Sequence, residues 1–197
     1  ESDQLEGNYT ELKNNTFKAT SRYLKIVVEG DETRYQITSL CITEKYGVDF
    51  VPETIDISLS ERVRRVNKKY SEMKKLGYTC FLISVHLNAA GGDGKWKTAS
   101  GWSGWVAKVS SANSKKLAQC LYRQAERLKL KGNRCVPPTK YWEANFTIIA
   151  KSNCPAVLTE NLFQDNKQEV DFLLSEAGKN AIVELHVEGI KDFIRQL

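Results

Sequence analysis

Residues 154–161 read Cys-Pro-Ala-Val-Leu-Thr-Glu-Asn and place one carboxylate, that of Glu160, at the end of an otherwise apolar segment. Residues 81–88 read Phe-Leu-Ile-Ser-Val-His-Leu-Asn and bring an imidazole, that of His86, to a similar position. A buried strand that ends in a titratable residue delivers that side chain to the sheet edge where α/β proteins build their sites. Because the chain contains only two histidines, this position for His86 points to a functional site.

Helical and strand-like patterns alternate around these two segments. Apolar residues recur at helical spacing in residues 58–75, 114–130 and 176–197. The predicted strands are residues 78–87, 101–109, 145–150 and 156–159. Such alternation predicts an α/β fold, with a mostly parallel central sheet flanked by helices in a single three-layer domain. We expect this one domain to span residues 1–197.

The amino-terminal part of the chain has weaker patterns than the rest. Residues 23–28 and 46–52 are typical of strands, and residues 36–45 suggest a short helix. The sequence begins without an initiator Met and shows neither the basic nor the apolar region of a signal peptide. We therefore expect synthesis in a cytoplasm, either of this chain as it stands or of one trimmed upstream.

The composition indicates a soluble globular protein. Of 197 residues, 41% are hydrophobic and 27% are charged, and the net charge is +5. Apolar runs fall short of the roughly 18–20 residues that a membrane span needs. The five cysteines are scattered without the spacing of a zinc ribbon. Three of them, Cys80, Cys120 and Cys154, lie in apolar patterns and are expected to be reduced core residues.

Most of the excess positive charge lies in residues 108–134, where eight lysines and arginines accompany a single acid, Glu126. This basic segment is either a solvated helix face or a surface for an anionic polymer such as a wall teichoic acid. Nucleic acid is not expected as a partner, because only Tyr122 is interleaved with the basic residues. The sequence also lacks a glycine-rich phosphate loop, which argues against a nucleotide-dependent enzyme.

Four motifs in order resemble those of the zinc-dependent N-acetylmuramoyl-L-alanine amidases, especially phage and Bacteroidetes members. Residues 56–67 are similar to the helix sLxeRvxxaN, and residues 84–90 to the strand end SxHxNA. Residues 101–118 resemble the segment GW…SxxLA, and residues 155–166 the strand and turn PAvLvExgFxxN. The resemblance covers about residues 52–197 and leaves residues 1–51 divergent.

The resemblance implies a peptidoglycan hydrolase that cleaves the amide between N-acetylmuramic acid and the first L-alanine of the stem peptide by a zinc-activated water. In that family two histidines and a glutamate hold one zinc ion, and a second glutamate assists catalysis. His86 matches the later zinc histidine, and Glu160 matches the catalytic glutamate. Zinc with three protein ligands keeps a position for water, whose pKa it lowers to about 7. We expect a monomer that acts at the bacterial cell wall, with release in the manner of a phage endolysin.

The first zinc histidine of the family has no counterpart, since no histidine precedes His86. For the glutamate ligand the candidates are Glu11 and Glu32. Three explanations stay open: the ligand-bearing segment is absent from this chain, another residue type takes the place of the histidine, or the protein is a degenerate amidase that binds the wall without cutting it. The second histidine, His186, is expected to be a packed or surface residue of the last helix.

Each candidate also has a purely structural interpretation. His86 could be a satisfied core histidine, and Glu160 could cap the turn that follows it. The tryptophans Trp96 and Trp142 could equally stack on sugar rings or fill loop edges, whereas Trp102 and Trp105 are expected to pack in the interior.

Overall fold

The computed structural model describes residues 57–197 throughout and, before them, the backbone of five short strands. These are β1 (Phe17–Lys18), β2 (Gly30–Asp31), β3 (Arg34–Tyr35), β4 (Leu40–Ile42) and β5 (Tyr46–Asp49). The strand predicted from residue 46 is confirmed by β5. The helix predicted for residues 36–45 is wrong at β4, where a Leu-Cys-Ile segment pairs with strands on both sides. The strand predicted at residues 23–28 lies outside the described residues.

The second part of the chain alternates as predicted, with some corrections. Its helices are α1 (Leu59–Lys75), α2 (Ala112–Arg127), α3 (Thr147–Ala150), α4 (Lys167–Leu174) and α5 (Glu176–Ile194). Its strands are β6 (Phe81–Asn88), β7 (Ser103–Val106), β8 (Trp142–Glu143) and β9 (Ala156–Phe163). The strand predicted at residues 145–150 is wrong, because this segment forms the single turn α3 that buries two isoleucines under the sheet. Neither β8 nor α4 was predicted.

Strand order in the main sheet is β1-β5-β4-β6-β9-β7-β8, and β2 pairs with β3 separately. The central pair β6–β9 and the outer pair β7–β8 are parallel. The pairs β1–β5, β4–β5, β4–β6 and β7–β9 are antiparallel. The predicted α/β class with a central sheet between helices is confirmed. The sheet is mixed and not mostly parallel as predicted, because β4 and β7 run antiparallel to the central pair β6–β9.

Alternate residues of β6 face two different hydrophobic clusters, which gives the fold three layers. Phe81, Ile83 and Val85 pack with residues of α2 and α5 on one side of the sheet. Leu82 packs on the other side, where α1 contributes Val66 and where α3 also lies. The buried sheet is therefore covered on both faces by helices, as expected for strands that are almost continuously apolar.

Serine side chains cap the first turns of α1 and α2. Ser58 caps α1 by accepting the backbone N–H of Glu61 at 3.2 Å, and Ser111 caps α2 by accepting that of Ser114 at 3.1 Å. Within residues 57–197 none of the helices combines the length and the apolarity of a membrane span. Cys80, Cys120 and Cys154 are buried and unpaired in disulfides, as predicted.

Candidate active site

His86 and Glu160 lie opposite each other on neighbouring parallel strands. They are Cα partners in the register of β6 and β9, and on the other side of β9 Ser103 of β7 is the partner of Glu160. Because side chains alternate along a strand, His86 shares its face with Leu82, and Glu160 shares the same face with Leu158. The structure thus brings both sequence-predicted residues together on the α1 side of the sheet, in the carboxyl-terminal halves of their strands.

The imidazole of His86 is held neutral. Its Nε2 is 2.7 Å from the hydroxyl oxygen of Ser84, two residues earlier on the same face. Burial lowers the pKa of His86 to about 4, and the nearby positive charge of Arg62 lowers it as well. A neutral imidazole has a lone pair to offer to a metal ion or a proton.

The positive charge beside His86 comes from helix α1. Arg62 is buried, with 7% of its surface exposed, and its Nε donates a hydrogen bond to the carbonyl oxygen of Ile57 at 3.1 Å. Sequence analysis treated this arginine only as part of a helix motif. Its place on the site face follows from the helical stripe that also buries Val63 and Val66.

Burial makes the carboxyl group of Glu160 a weaker acid than that of an ordinary glutamate. Burial raises the pKa of Glu160 to about 7, although the charge of Arg134 acts in the opposite direction. Its Oε2 is buried and has no hydrogen-bond partner within the described part of the chain. An unpaired buried carboxylate oxygen is costly in a folded protein, so this atom indicates a place for a ligand, water or substrate.

Arg134 is a second charged residue that sequence analysis missed, because it was counted only within the basic segment of residues 108–134. Its guanidinium carbon lies 5.1 Å from the centre of the Trp142 ring and 5.4 Å from that of Phe163. The charges of Glu160 and Glu169 both act on it. Only the pairing of distant segments in the fold creates this arrangement, so no local sequence signal marks it.

Asn161 holds the two site strands together. Its Nδ2 donates to the backbone oxygen of His86 at 3.0 Å and to Thr159 Oγ1 at 3.1 Å, and its Oδ1 accepts from Trp102 Nε1 at 2.9 Å. The side chain is fully buried. Immediately beyond this contact the register shifts between His86 and Asn88. The bond to the His86 backbone therefore fixes the end of β6 against β9, on the opposite face from the two site side chains.

The second histidine belongs to the same buried polar network and not to the site. His186 is 1% exposed, its Nδ1 lies 2.8 Å from the carbonyl oxygen of Ile182, and its Nε2 lies 3.1 Å from Thr159 Oγ1. A carbonyl can only accept, so Nδ1 carries the proton and Nε2 accepts from the threonine hydroxyl. His186 is thus packed in the core, one of the two positions expected for it.

The loop of residues 89–100 is tied to the turn that follows β9. Asp165 Oδ2 accepts the backbone N–H groups of Ala90 at 2.8 Å and Gly91 at 3.0 Å, and its backbone oxygen accepts that of Lys97 at 2.7 Å. Trp96 lies in this loop and is 61% exposed. Its sugar-stacking interpretation therefore stays open.

The remaining tryptophans serve in packing. Trp142 contacts the rings of Trp105 and Tyr122 at centroid distances of 6.0 and 6.4 Å. Trp102 is 1% exposed, and Trp105 is packed against a core cluster. Packing is confirmed for Trp102 and Trp105, and for Trp142 the packing alternative is the one observed.

A complete metal site is not formed by residues 57–197, which contain no cluster of three or more His, Cys, Asp or Glu side chains able to hold an ion. A neutral His86 fits the part of one zinc ligand, and Glu160 lies beside it. The two other ligands that the motifs imply are not among these residues. Both candidates for the carboxylate ligand, Glu11 and Glu32, lie outside the described residues.

Comparison with known proteins decides the family. The sequence model of the family described as N-acetylmuramoyl-L-alanine amidase matches residues 32–192. The chain belongs to this amidase family. The resemblance inferred from the four motifs is thereby confirmed.

The chain is similar to a phage endolysin and to two bacterial amidases of known structure. An endolysin of Bacillus phage SPP1 is 27% identical over 138 residues, which are 69% of this chain and 45% of the endolysin. The N-acetylmuramoyl-L-alanine amidase from Clostridium difficile 630 is 25% identical with a TM-score of 0.59, over 74% of this chain and 69% of that one. A third relative is the catalytic domain of the amidase CwlV from Bacillus (Paenibacillus) polymyxa var. colistinus. It is 21% identical with a TM-score of 0.55, over 74% of this chain and 70% of that one, and it supports the fold. The chain spans less than half the length of the phage endolysin.

Proposed function

We propose that this amidase-family chain hydrolyses the amide between N-acetylmuramic acid and the L-alanine of the stem peptide in peptidoglycan. The observation that carries the proposal is the pairing of His86 with Glu160 across β6 and β9. The two residues that match the family's site come from segments far apart in sequence, yet the fold sets them side by side. We propose residues 1–197 as a single catalytic domain.

Glu160 is the proposed catalytic residue. With a pKa of about 7, its carboxyl group can take either the ionised or the protonated form near neutral pH. The ionised form can accept a proton from the attacking water, and the protonated form can give that proton to the departing amine. The buried, unpaired Oε2 is the oxygen available for this transfer.

His86 is the proposed metal-binding residue, through an imidazole that burial keeps neutral. One zinc ion, when bound, would supply a Lewis acid that polarises the scissile carbonyl and makes water a better nucleophile. Among the described residues, His86 is the one proposed ligand of this ion. Glu11 and Glu32 remain the candidates for a carboxylate ligand in the proposal.

The rest of the proposed machinery keeps these two groups in place. Asn161 fixes the backbone of His86, and Ser84 holds its ring. The positive charge of Arg62 disfavours protonation of His86. A site that holds its groups by packing and hydrogen bonds needs little reorganisation during the reaction.

The proposed place of action is the bacterial cell wall, outside the cytoplasm, with peptidoglycan as the partner. The basic segment of residues 108–134 keeps an anionic wall polymer as a further candidate partner. Lys108, Lys129 and Lys131 of this segment are exposed and give it a positive surface, whereas Arg127 is paired with Glu184 at 2.6 Å. A monomer is the proposed state.

A second candidate function is wall binding without catalysis. It is favoured by the sequence, in which no histidine precedes His86 to match the first zinc histidine of the family. The two functions differ in whether covalent product is released from the wall.

Mass spectrometry of purified peptidoglycan after incubation with the chain and zinc separates the two functions. The amidase proposal expects free stem peptides that begin with L-alanine, together with glycan strands whose lactyl carboxyl groups are free. The wall-binding alternative expects the chain to sediment with intact peptidoglycan and to release no such peptide. Cleavage at any other bond contradicts the proposed reaction.

A further inference from the structure

The guanidinium of Arg134 is fixed beside the candidate site by two aromatic rings. The ring of Trp142 lies on the edge strand β8, and that of Phe163 ends β9 three residues after Glu160. Both rings lie within the range of cation–π attraction. The arginine therefore loses little freedom when it binds a further group.

One nitrogen of this guanidinium lacks a protein partner. Nη1 of Arg134 is buried and makes no hydrogen bond to any part of the chain that the structure describes. The carboxylate of Glu169, whose charge acts on Arg134, accepts the backbone N–H of Gly101 at 2.7 Å through Oε1 and that of Phe163 at 2.8 Å through Oε2. Glu160 carries the matching defect, a buried Oε2 without a partner. An unpaired, buried guanidinium nitrogen indicates that a ligand with an acceptor oxygen completes it.

The segment that carries Arg134 is clamped at the start of β7. Asn133 accepts the N–H of Ser100 at 2.9 Å and donates to the carbonyl oxygen of Thr98 at 2.8 Å. The backbones of Gly101 and Gly132 approach so closely that a Cβ on Gly101, whose φ is 110°, would lie 2.0 Å from the carbonyl oxygen of Lys131. Such a site is preformed, as expected for a residue that receives substrate.

We propose that Arg134 binds a carboxylate of the substrate close to the scissile amide, namely the free α-carboxyl group of the second residue of the stem peptide. This inference rests on the proposed function. A guanidinium remains charged when half-buried and offers paired donors that match a carboxylate. Of the substrate's carboxylates, this one is separated from the scissile amide by a single alanine residue.

The test compares two muramoyl tripeptides that differ only in whether the α-carboxyl group of the second residue is free or amidated. The wild-type chain is expected to prefer the free carboxylate by about 10- to 100-fold in kcat/KM, as a charge-assisted hydrogen bond provides. Arg134→Gln should abolish this preference through KM. The accompanying rise in the pKa of Glu160 lowers turnover of both tripeptides alike, so the ratio of their kcat/KM values isolates the carboxylate contact. Arg134→Lys should restore part of it, and Arg195→Gln, an exposed residue paired with Asp192, should leave it unchanged.

The affinity of the chain for the two free tripeptides, measured by calorimetry, tests the carboxylate site without catalysis. These tripeptides lack the scissile bond, so the result does not depend on the proposed function. If the wild-type chain cuts neither muramoyl tripeptide, the proposed function has failed, and a binding preference that Arg134→Gln removes still supports the carboxylate site. Equal binding of both tripeptides to the wild-type chain overturns the inference whether or not the chain is active and whether or not the variant folds. Equal losses on both substrates in Arg134→Gln overturn it too.

Discussion

His86 and Glu160 face each other across the only parallel pair at the centre of the described sheet, His86 on β6 and Glu160 on β9. The helices that cover this face bring Arg62 to the histidine, and the segment before β8 brings Arg134 to the glutamate. Burial favours the uncharged form of both side chains, whereas the charge of Arg134 favours the ionised form of Glu160.

The pH dependence of hydrolysis should report the carboxyl group of Glu160. If ionised Glu160 starts the reaction, kcat/KM should rise through an apparent pKa near 7 instead of the 4.5 of an ordinary glutamate. Arg134 lowers the pKa of Glu160, so Arg134→Gln should shift this limb to higher pH. An acidic limb near 4.5, or one that does not move in the variant, would be inconsistent with this environment.

Asn161→Leu should destabilise the fold and weaken activity together. The substitution leaves Trp102 Nε1 and the His86 carbonyl without their buried partner, at about 1–3 kcal/mol for each group. Unfolding in urea should show a loss of about 2–6 kcal/mol. Asn180→Ala, at an exposed position of α5, is the matched control and should change the stability by less than about 0.5 kcal/mol. An unaffected midpoint in Asn161→Leu would show that the network contributes little.

The core histidine should make the fold sensitive to acid. Burial lowers the pKa of His186 from 6.5 to about 4. Between these pH values the unfolded chain is protonated at His186 and the folded chain is not. Stability from this group is present above pH 6.5 and is lost as pH falls towards 4; His86 acts in the same direction. Glu160, whose pKa is raised from 4.5 to about 7, acts oppositely between these values. Nitrogen NMR at pH 5.5 should find the His186 ring neutral and protonated on Nδ1, and a charged ring would refute this assignment.

His86→Ala should lower zinc content as well as activity. Elemental analysis after dialysis against trace zinc should give about one zinc per wild-type chain, because a three-ligand site with water is the usual catalytic arrangement. The variant loses one of these ligands and should hold much less. His186→Gln, which alters the buried histidine, should keep the metal if it folds. Equal zinc in the wild-type chain and His86→Ala would remove His86 from the proposed ligands.

The sequence predicts the elements with strong local patterns. The helix α1 has a capping serine and an apolar stripe, and β6 and β9 are long runs of apolar residues, so their positions and the titratable residues within them could be inferred. The segment of α3 could not, because Thr-Ile-Ile-Ala is equally apolar in a strand and only its packing under the sheet decides.

Contacts between distant segments explain what sequence analysis missed. Arg134 becomes part of the site only when Trp142 and Phe163 are brought around it. Leu162 is a further departure: its φ is 71°, in the region that favours glycine, and the family motif quoted for residues 155–166 has glycine at that position. The burial of the leucine side chain, which is 2% exposed, offsets part of the cost of this backbone conformation.

The catalytic role of Glu160 is tested by the rate at which the chain releases L-alanine amino groups from purified peptidoglycan, measured for the wild-type chain, Glu160→Gln and Glu184→Gln. Glu184 is exposed and serves as the matched control. The account predicts that Glu160→Gln loses at least about 100-fold in rate with its unfolding transition retained, while Glu184→Gln keeps the wild-type rate. Hydrolysis by Glu160→Gln at the wild-type rate would contradict the assignment of Glu160 as the catalytic residue.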